Sequence, residues 1–224
     1  TRITFYPDET IFDAIVFDFK TIKTRVRQQS YLTKGVHLYM ADEREKPAKR
    51  EAFYFENGIV SYVEHLNQGK TRLGEIFYTE KDVTEGRVEV AMQYTDTFQE
   101  TIYGFANNIF NPEGGMHITG FKAALTRTLN AYAKKQEFLK EKDSALQAED
   151  VREGLTAVVS VKLGSPQFEG QTKAKLGNAE MRTAVEAVVN QYFLEFLEQH
   201  PDSAKDMIGK CILTSRARMA AKAA

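Results

Sequence analysis

With 30 lysines and arginines set against 31 aspartates and glutamates, the 224-residue sequence carries a formal net charge of -1. That balance excludes a uniformly basic nucleic-acid coat while leaving room for a local basic patch. Hydrophobic residues make up 42% and charged residues 27%, ordinary for a globular chain long enough to bury a real core. No apolar run approaches the ~18 residues that a membrane span requires.

Thr1–Pro7 reads as a strand and not as a secretory signal, and a chain that opens in strand-like sequence without Met is expected to be a piece of something longer. Phe17–Leu32 places Phe19, Ile22, Val26 and Ser30 on one side of a helix, with Lys20, Lys23, Arg25 and Arg27 on a solvated basic face. Val36–Ala41 and Ala52–Phe55 flank the charged run Asp42–Arg50 and predict a hairpin. Gly58–Asn67 predicts a short helix through Ile59, Val63 and Leu66.

Arg87–Tyr94 alternates strictly, which turns Val88, Val90, Met92 and Tyr94 to a core and Glu89 and Gln93 to solvent. Thr101–Asn107 is the next strand. Ile118–Lys134 is the clearest helix of this half, with Ile118, Phe121, Leu125, Leu129 and Tyr132 in register. The charged, aperiodic run Lys134–Ala148 reads as a surface excursion. Gly154–Leu163 is almost continuously apolar, as a central strand buried on both faces should be. Two helices follow. Glu180–Gln199 stripes Met181, Val185, Val188, Tyr192 and Phe196, and a last helix begins where Pro201 is tolerated in a first turn. The lone Cys211 falls on its apolar stripe and reads as a buried structural thiol in a reducing cytoplasm, not as a nucleophile. The sum is an α+β chain with a helical exit, divided as 1–199 and 200–224, and not a doubly wound sheet.

The most informative motif is Gln171-Thr172-Lys173, at the junction between the apolar strand and the long helices. A short polar loop there can present an amide donor and a mobile ammonium together, a pair suited to a phosphate. Gly115–Lys122 imitates a phosphate-binding glycine loop but fails on spacing, because Phe121 follows Gly120 where a Lys-Ser/Thr pair is needed. Its glycines read as the turn into a helix that Thr119 or His117 helps to cap. The four histidines lie scattered with no partner at ligand spacing, so His117 reads as a hydrogen-bonded structural residue. Neither Ser160 nor Ser165 sits in a nucleophile elbow. From Met207 onward Lys210, Arg216, Arg218 and Lys222 stand without a carboxylate. They fit either complementation of the helix dipole or, with Arg127 as a weaker addition, a surface that touches DNA phosphates without reading sequence.

Taken in order, Asn107–Asn130, Asp150–Lys162 and Gln171–Lys173 closely resemble the transducer domain of the B subunit of DNA gyrase, a type IIA topoisomerase. The decatenating paralogue topoisomerase IV shares these motifs, and Phe105–Ile109 with Ala124–Asn130 leans towards gyrase. The resemblance implies a mixed sheet with a left-handed βαβ crossover packed on helices, as in a ribosomal protein and small-molecule kinases. It further implies that the domain follows an ATPase domain in the same polypeptide, whose ATP site it completes. Gln171 and Lys173 would then contact the γ-phosphate, with Lys173 stabilising charge during phosphoryl transfer, while Mg2+ is held by the ATPase domain and not by this chain. Partners implied are the gyrase A subunit, a second copy of the full-length protein, and double-stranded DNA guided without sequence preference along the exit helices. The chain alone is therefore expected to be inactive, and the loop mobile until a nucleotide arrives. Two rival readings remain: a DNA-binding scaffold with no part in hydrolysis, and a free-standing small-molecule kinase, which would need a glycine-rich phosphate loop of its own.

Overall fold

The computed structural model describes residues 1–223. The chain divides into two compact units, Thr1–Gly58 and Ile59–Ala224. The boundary expected after residue 199 thus falls inside the second unit, because the last helix packs there on a strand and on the helix before it.

In the first unit, Thr1–Pro7 forms no strand, and Ile3, Phe5 and Tyr6 are exposed. An extended segment without a ladder partner lacks the pairing that makes alternation a strand. Helix α1 (Phe19–Leu32) starts at Asp18, whose Oδ2 accepts the Thr21 backbone N–H at 2.7 Å, a side-chain cap that satisfies one orphan donor. Strands β1 (Leu38–Asp42) and β2 (Lys49–Phe53) form the expected antiparallel hairpin. Part of the basic face of α1 is engaged with it: Lys23 pairs with Glu51, and the Arg27 guanidinium lies 5.4 Å from the centre of the Phe53 ring.

The second unit opens with α2 (Ile59–Leu66), then β3 (Arg72–Val83), β4 (Gly86–Thr95), β5 (Thr101–Ala106) and β6 (Ile109–Phe110). Helix α3 (Met116–Lys135) leads to β7 (Leu155–Lys162). A small hairpin, β8 (Phe168–Glu169) with β9 (Lys175–Leu176), precedes α4 (Ala179–Gln199) and α5 (Pro201–Ala223). The main sheet runs β3-β4-β7-β5-β6, with β7 antiparallel to β4 and parallel to β5. A parallel neighbour requires a crossover, and α3 lies within it. The continuous apolar run of β7 is explained by that central place, with every residue but Lys162 buried.

On one face of the sheet, Val88, Val90, Met92 and Tyr94 of β4 and Leu155, Ala157, Val159 and Val161 of β7 join a core built with α3, α4 and α5. The other face is not open to solvent as the alternation of β4 implied. Gln93 is buried there, donating from Nε2 to the Gly74 carbonyl (2.9 Å) and accepting from Asn67 Nδ2 (3.1 Å), while Asn67 Oδ1 accepts from Thr156 Oγ1 (2.7 Å). These three polar side chains satisfy one another where α2 covers the sheet, so burial there carries little penalty. Strand β3 has no clear sequence signal, because Glu75, Glu80, Lys81 and Asp82 interrupt its apolar positions along a sheet edge. Helices α3 and α4 approach closely through Gly120, where a Cβ would stand 2.3 Å from the Arg182 carbonyl oxygen. Cys211 is buried as expected, its Sγ 4.0 Å from the Tyr94 hydroxyl, and burial pushes its thiol up to about 12. Among the described residues, no helix is long and apolar enough to cross a membrane.

Candidate functional site

Gln171 and Lys173 occupy the turn of the β8–β9 hairpin, which pairs Phe168 with Leu176 and Glu169 with Lys175. Gly170 and Lys173 both take left-handed backbone conformations, with φ of 72° and 56°, and the Lys173 N–H reaches back to the Gly170 carbonyl at 3.3 Å. The turn is thereby tight enough to throw Gln171, Thr172 and Lys173 outward, and all three are exposed. Lys175 is neutralised by Glu169 at 3.0 Å, whereas the Lys173 ammonium lies 5.7 Å from the centre of the Phe168 ring. Among the described residues no carboxylate pairs with Lys173. Two residues whose side chains have the right donor chemistry for a phosphate oxygen thus share one exposed turn, with the Lys173 charge paired to no carboxylate among the described residues.

The base of this hairpin is fastened to the segment between β6 and α3. Asn111 Nδ2 donates to the Lys173 carbonyl at 2.7 Å, the Glu113 N–H donates to the Ala174 carbonyl at 3.0 Å, and the Leu176 N–H donates to the Gly114 carbonyl at 3.1 Å. Gly115 makes the approach possible, since a Cβ there would stand 2.4 Å from the backbone N and O of Leu176. Two more asparagines hold the chain leading into the hairpin. Asn107 uses both ends of its amide on Leu163, donating to its carbonyl and accepting its N–H, each at 2.9 Å. Asn178 accepts the Gln167 N–H at 2.6 Å and donates to the Ser165 carbonyl at 3.1 Å. The expectation of a mobile loop therefore meets a turn whose exposed tip stands on a braced base.

Nothing in the local sequence announces these braces. Asn107 stands beside Asn108 as one element of a family pattern, and Asn111 and Asn178 carry no signature for contacts that close over such long separations. The glycines at 114 and 115 do form the expected turn into a helix, with Gly115 immediately before α3. Capping by Thr119 or His117 does not occur. The Thr119 hydroxyl donates back to the Gly115 carbonyl at 3.1 Å, and His117 is fully buried with neither ring nitrogen hydrogen-bonded. His117 packs against Gly104 of β5, where a Cβ would sit 2.6 Å from its Nε2, and burial lowers its pKa to about 4. Such a ring is a neutral packing element. Among the described residues, no cluster of His, Cys, Asp and Glu could hold a metal ion.

The structure separates the basic residues expected to face DNA. Lys210 is buried against Glu153 (3.1 Å) and lies over the Phe98 ring. Arg218 makes a two-pronged contact with the fully buried carboxylate of Asp150, at 2.7 and 2.8 Å. Both cations are thus committed within the chain, and they tie α5 to the segment that enters β7. Arg127 pairs with Glu186 at 2.5 Å, while Arg216 and Lys222 remain exposed.

Comparison with known proteins brings these features together. A family model described as DNA gyrase B matches residues 58–224, a span that begins at the boundary between the two units. Over its whole length the chain is 48% identical to the DNA gyrase B subunit of Enterococcus faecalis and 50% identical to that of Haloferax lucentense, covering 35% of each protein. It spans about a third of the length of these curated relatives. Among solved structures, the 43K ATPase domain of Thermus thermophilus gyrase B superposes with a TM-score of 0.84 at 40% identity, over 96% of this chain and 58% of that one. The topoisomerase IV ATP-binding domain of Francisella tularensis gives 0.78 at 25% identity, over 95% of this chain and 57% of that one. With a family model spanning the sheet, the braced hairpin and both long helices, the chain belongs to the DNA gyrase B family.

Proposed function

We propose that the second unit is the transducer of the B subunit of a type IIA DNA topoisomerase: it completes an ATP site on a neighbouring ATPase domain of the same polypeptide and converts nucleotide state into movement of its helices. The observation that carries this reading is the unpaired ammonium of Lys173 beside Gln171, projected on a turn whose base is fastened. ATP is the implied cofactor. In this reading the chain supplies an amide and a point charge to its phosphates, and Mg2+ belongs to the neighbouring domain.

In that role Gln171 donates a hydrogen bond that orients a terminal phosphate oxygen, and Lys173 adds positive charge where negative charge builds up in phosphoryl transfer, in the manner of an arginine finger. Contacts that form only while the terminal phosphate is present favour one disposition of the second unit over another. The line of transmission is short. The hairpin follows one end of β7, and the other end of β7 follows Glu153 and Asp150, which hold Lys210 and Arg218 of α5. Strand passage of double-stranded DNA, with the gyrase A subunit and a second copy of the full-length chain as partners, is the activity this coupling would serve.

A scaffold that merely binds DNA is the less favoured reading. With Lys210 and Arg218 occupied internally, the basic set after Met207 offers Arg216 and Lys222 to phosphates, and Lys205 of the first turns stands between Asp202 and Asp206. Two contacts give a salt slope of only about -2, too shallow for firm non-specific binding. The free-standing kinase reading gains nothing from the glycines: Gly115 serves hairpin packing and Gly120 the close approach of α3 and α4.

The test is ATP turnover by the full-length protein with Lys173→Ala. Loss of a charge made useful only in the transition state is expected to lower kcat on the order of 10²- to 10³-fold, with the fold intact by circular dichroism. Turnover within twofold of wild type would remove Lys173 from the site.

A further inference from the structure

Lys173 sits in a backbone conformation that glycine adopts freely and a side chain adopts at a cost, with φ at 56°. Lysine at such a position indicates that the ammonium itself is needed there, and that something else holds the backbone in place. Strain of this kind persists only where surrounding contacts over-determine it. The contact nearest to hand is the Asn111 side chain, whose Nδ2 donates to the Lys173 carbonyl at 2.7 Å.

Asn111 is well built for the purpose. It is 1% exposed, its own N–H donates to the Gly104 carbonyl of β5 at 2.9 Å, and its carbonyl accepts the Gly114 N–H at 2.9 Å. The main sheet is therefore connected through one residue to the backbone of the exposed lysine. The Asn111 Oδ1 is buried without a partner. A residue that only filled space would be apolar and would avoid that penalty, so the amide is explained by its donor end.

We propose that Asn111 is a positioning residue for the phosphate-contacting turn: by gripping the Lys173 carbonyl it holds the strained backbone that aims the Lys173 ammonium, and it does so before any nucleotide is present. The inference rests on the reading of Gln171 and Lys173 given above. It goes further by naming what sets the geometry, and it places the cost of ordering the turn in the folded chain and not in the binding event. Asn111 touches no phosphate, so it acts on the rate through Lys173 alone.

The test uses the full-length protein with Asn111→Ala and the near-isosteric Asn111→Asp, which removes the donor and keeps the volume. Two quantities are read. Amide hydrogen exchange at residues 171–174, in the nucleotide-free protein, is expected to accelerate at least tenfold in both variants while exchange in β4 and β7 stays unchanged. Steady-state ATP hydrolysis is expected to lose 10- to 100-fold in kcat with KM within threefold, the scale of a misplaced catalytic group. Adding either substitution to Lys173→Ala should cause no further loss, because the residue it aims has gone. Unchanged exchange in Asn111→Ala and Asn111→Asp sinks the anchor even if Lys173→Ala collapses turnover, and the Gln171–Lys173 reading then survives without it. Accelerated exchange with normal turnover in Lys173→Ala does the reverse: the brace is real, but the turn positions nothing for hydrolysis, and the proposal fails with the reading beneath it. A further tenfold loss on top of Lys173→Ala would show that Asn111 acts elsewhere.

Discussion

Removing the guanidinium of Arg218 should expose how firmly α5 is bound to the sheet. Asp150 is fully buried at its side chain and Arg218 is 20% exposed, and the two share bonds of 2.7 and 2.8 Å. Deleting one member of a buried pair costs about 3–5 kcal/mol, because the survivor keeps its desolvation penalty without its partner. Here the carboxylate retains the Gln147 N–H at 2.8 Å, which argues for the lower end, about 3 kcal/mol. For a chain of this size that corresponds to a fall of about 6–12 °C in Tm. The pH dependence gives the claim a second edge. Burial pushes the Asp150 carboxyl up, but hydrogen bonds from Arg218 and from the Gln147 N–H, with the Arg218 charge, more than offset it and hold the group below the usual carboxylate range. The wild-type contribution is therefore complete above the unfolded value near ~3.9 and is lost as pH falls through the lower folded value. In Arg218→Ala burial is opposed only by the hydrogen bonds from the Gln147 N–H and the Ser215 side chain, so the carboxyl takes up a proton sooner and relieves itself. The deficit relative to wild type should be largest at pH 7 and shrink below about pH 4.5. Urea melts followed by circular dichroism at several pH values measure this directly. A deficit under about 1 kcal/mol at neutral pH, or one that does not change between pH 7 and 4, would refute the argument that a desolvated carboxylate is at stake.

Two further outcomes follow from groups the proposed chemistry does not use. His117 is held neutral by burial, with its pKa lowered from 6.5 to about 4; the unfolded chain takes up that proton first, so stability should decline as pH falls from about 6.5 to 4. His117→Leu should flatten the decline, and an unaltered slope in that variant would mean that the titration lies elsewhere. Cys211, buried with its thiol pushed up to about 12, should react with an aromatic disulfide reagent only as fast as the chain unfolds; modification of the folded protein within minutes would contradict its place in the core.

Much of the fold could be read from the sequence because it rests on local periodicity. The stripes of α3 and α4 and the unbroken apolar run of β7 each state their surroundings within a single element. Where surroundings depend on a distant partner, the pattern misleads. Gln93 alternates as a solvent residue but is enclosed by Asn67 and the Gly74 carbonyl, and β3 hides behind the charges an edge tolerates. Thr1–Pro7 has the opposite fault, a strand-like alternation with no strand beside it. The candidate site divides in the same way. Gln171-Thr172-Lys173 could be found as a motif, whereas the asparagines that brace it are defined by hydrogen bonds across long loops. Charge counting along α5 could not foresee that Lys210 and Arg218 would meet Glu153 and Asp150.

The central position of β7 also governs how the chain can be assembled. Its register joins Lys162 to Arg87 on one side and Thr156 to Thr101 on the other, pairings between distant parts of the sequence that form slowly because long loops must close first. On a ribosome the β3–β4 hairpin, β5 and α3 emerge before β7 is made. During that interval β4 and β5 each present a bare inner edge to the cell, a template for pairing with another chain. Insertion of β7 seals both edges in one event. It also brings the hairpin that bears Lys173 to its braces, so that the last strand to enter the sheet is the one that delivers the charge.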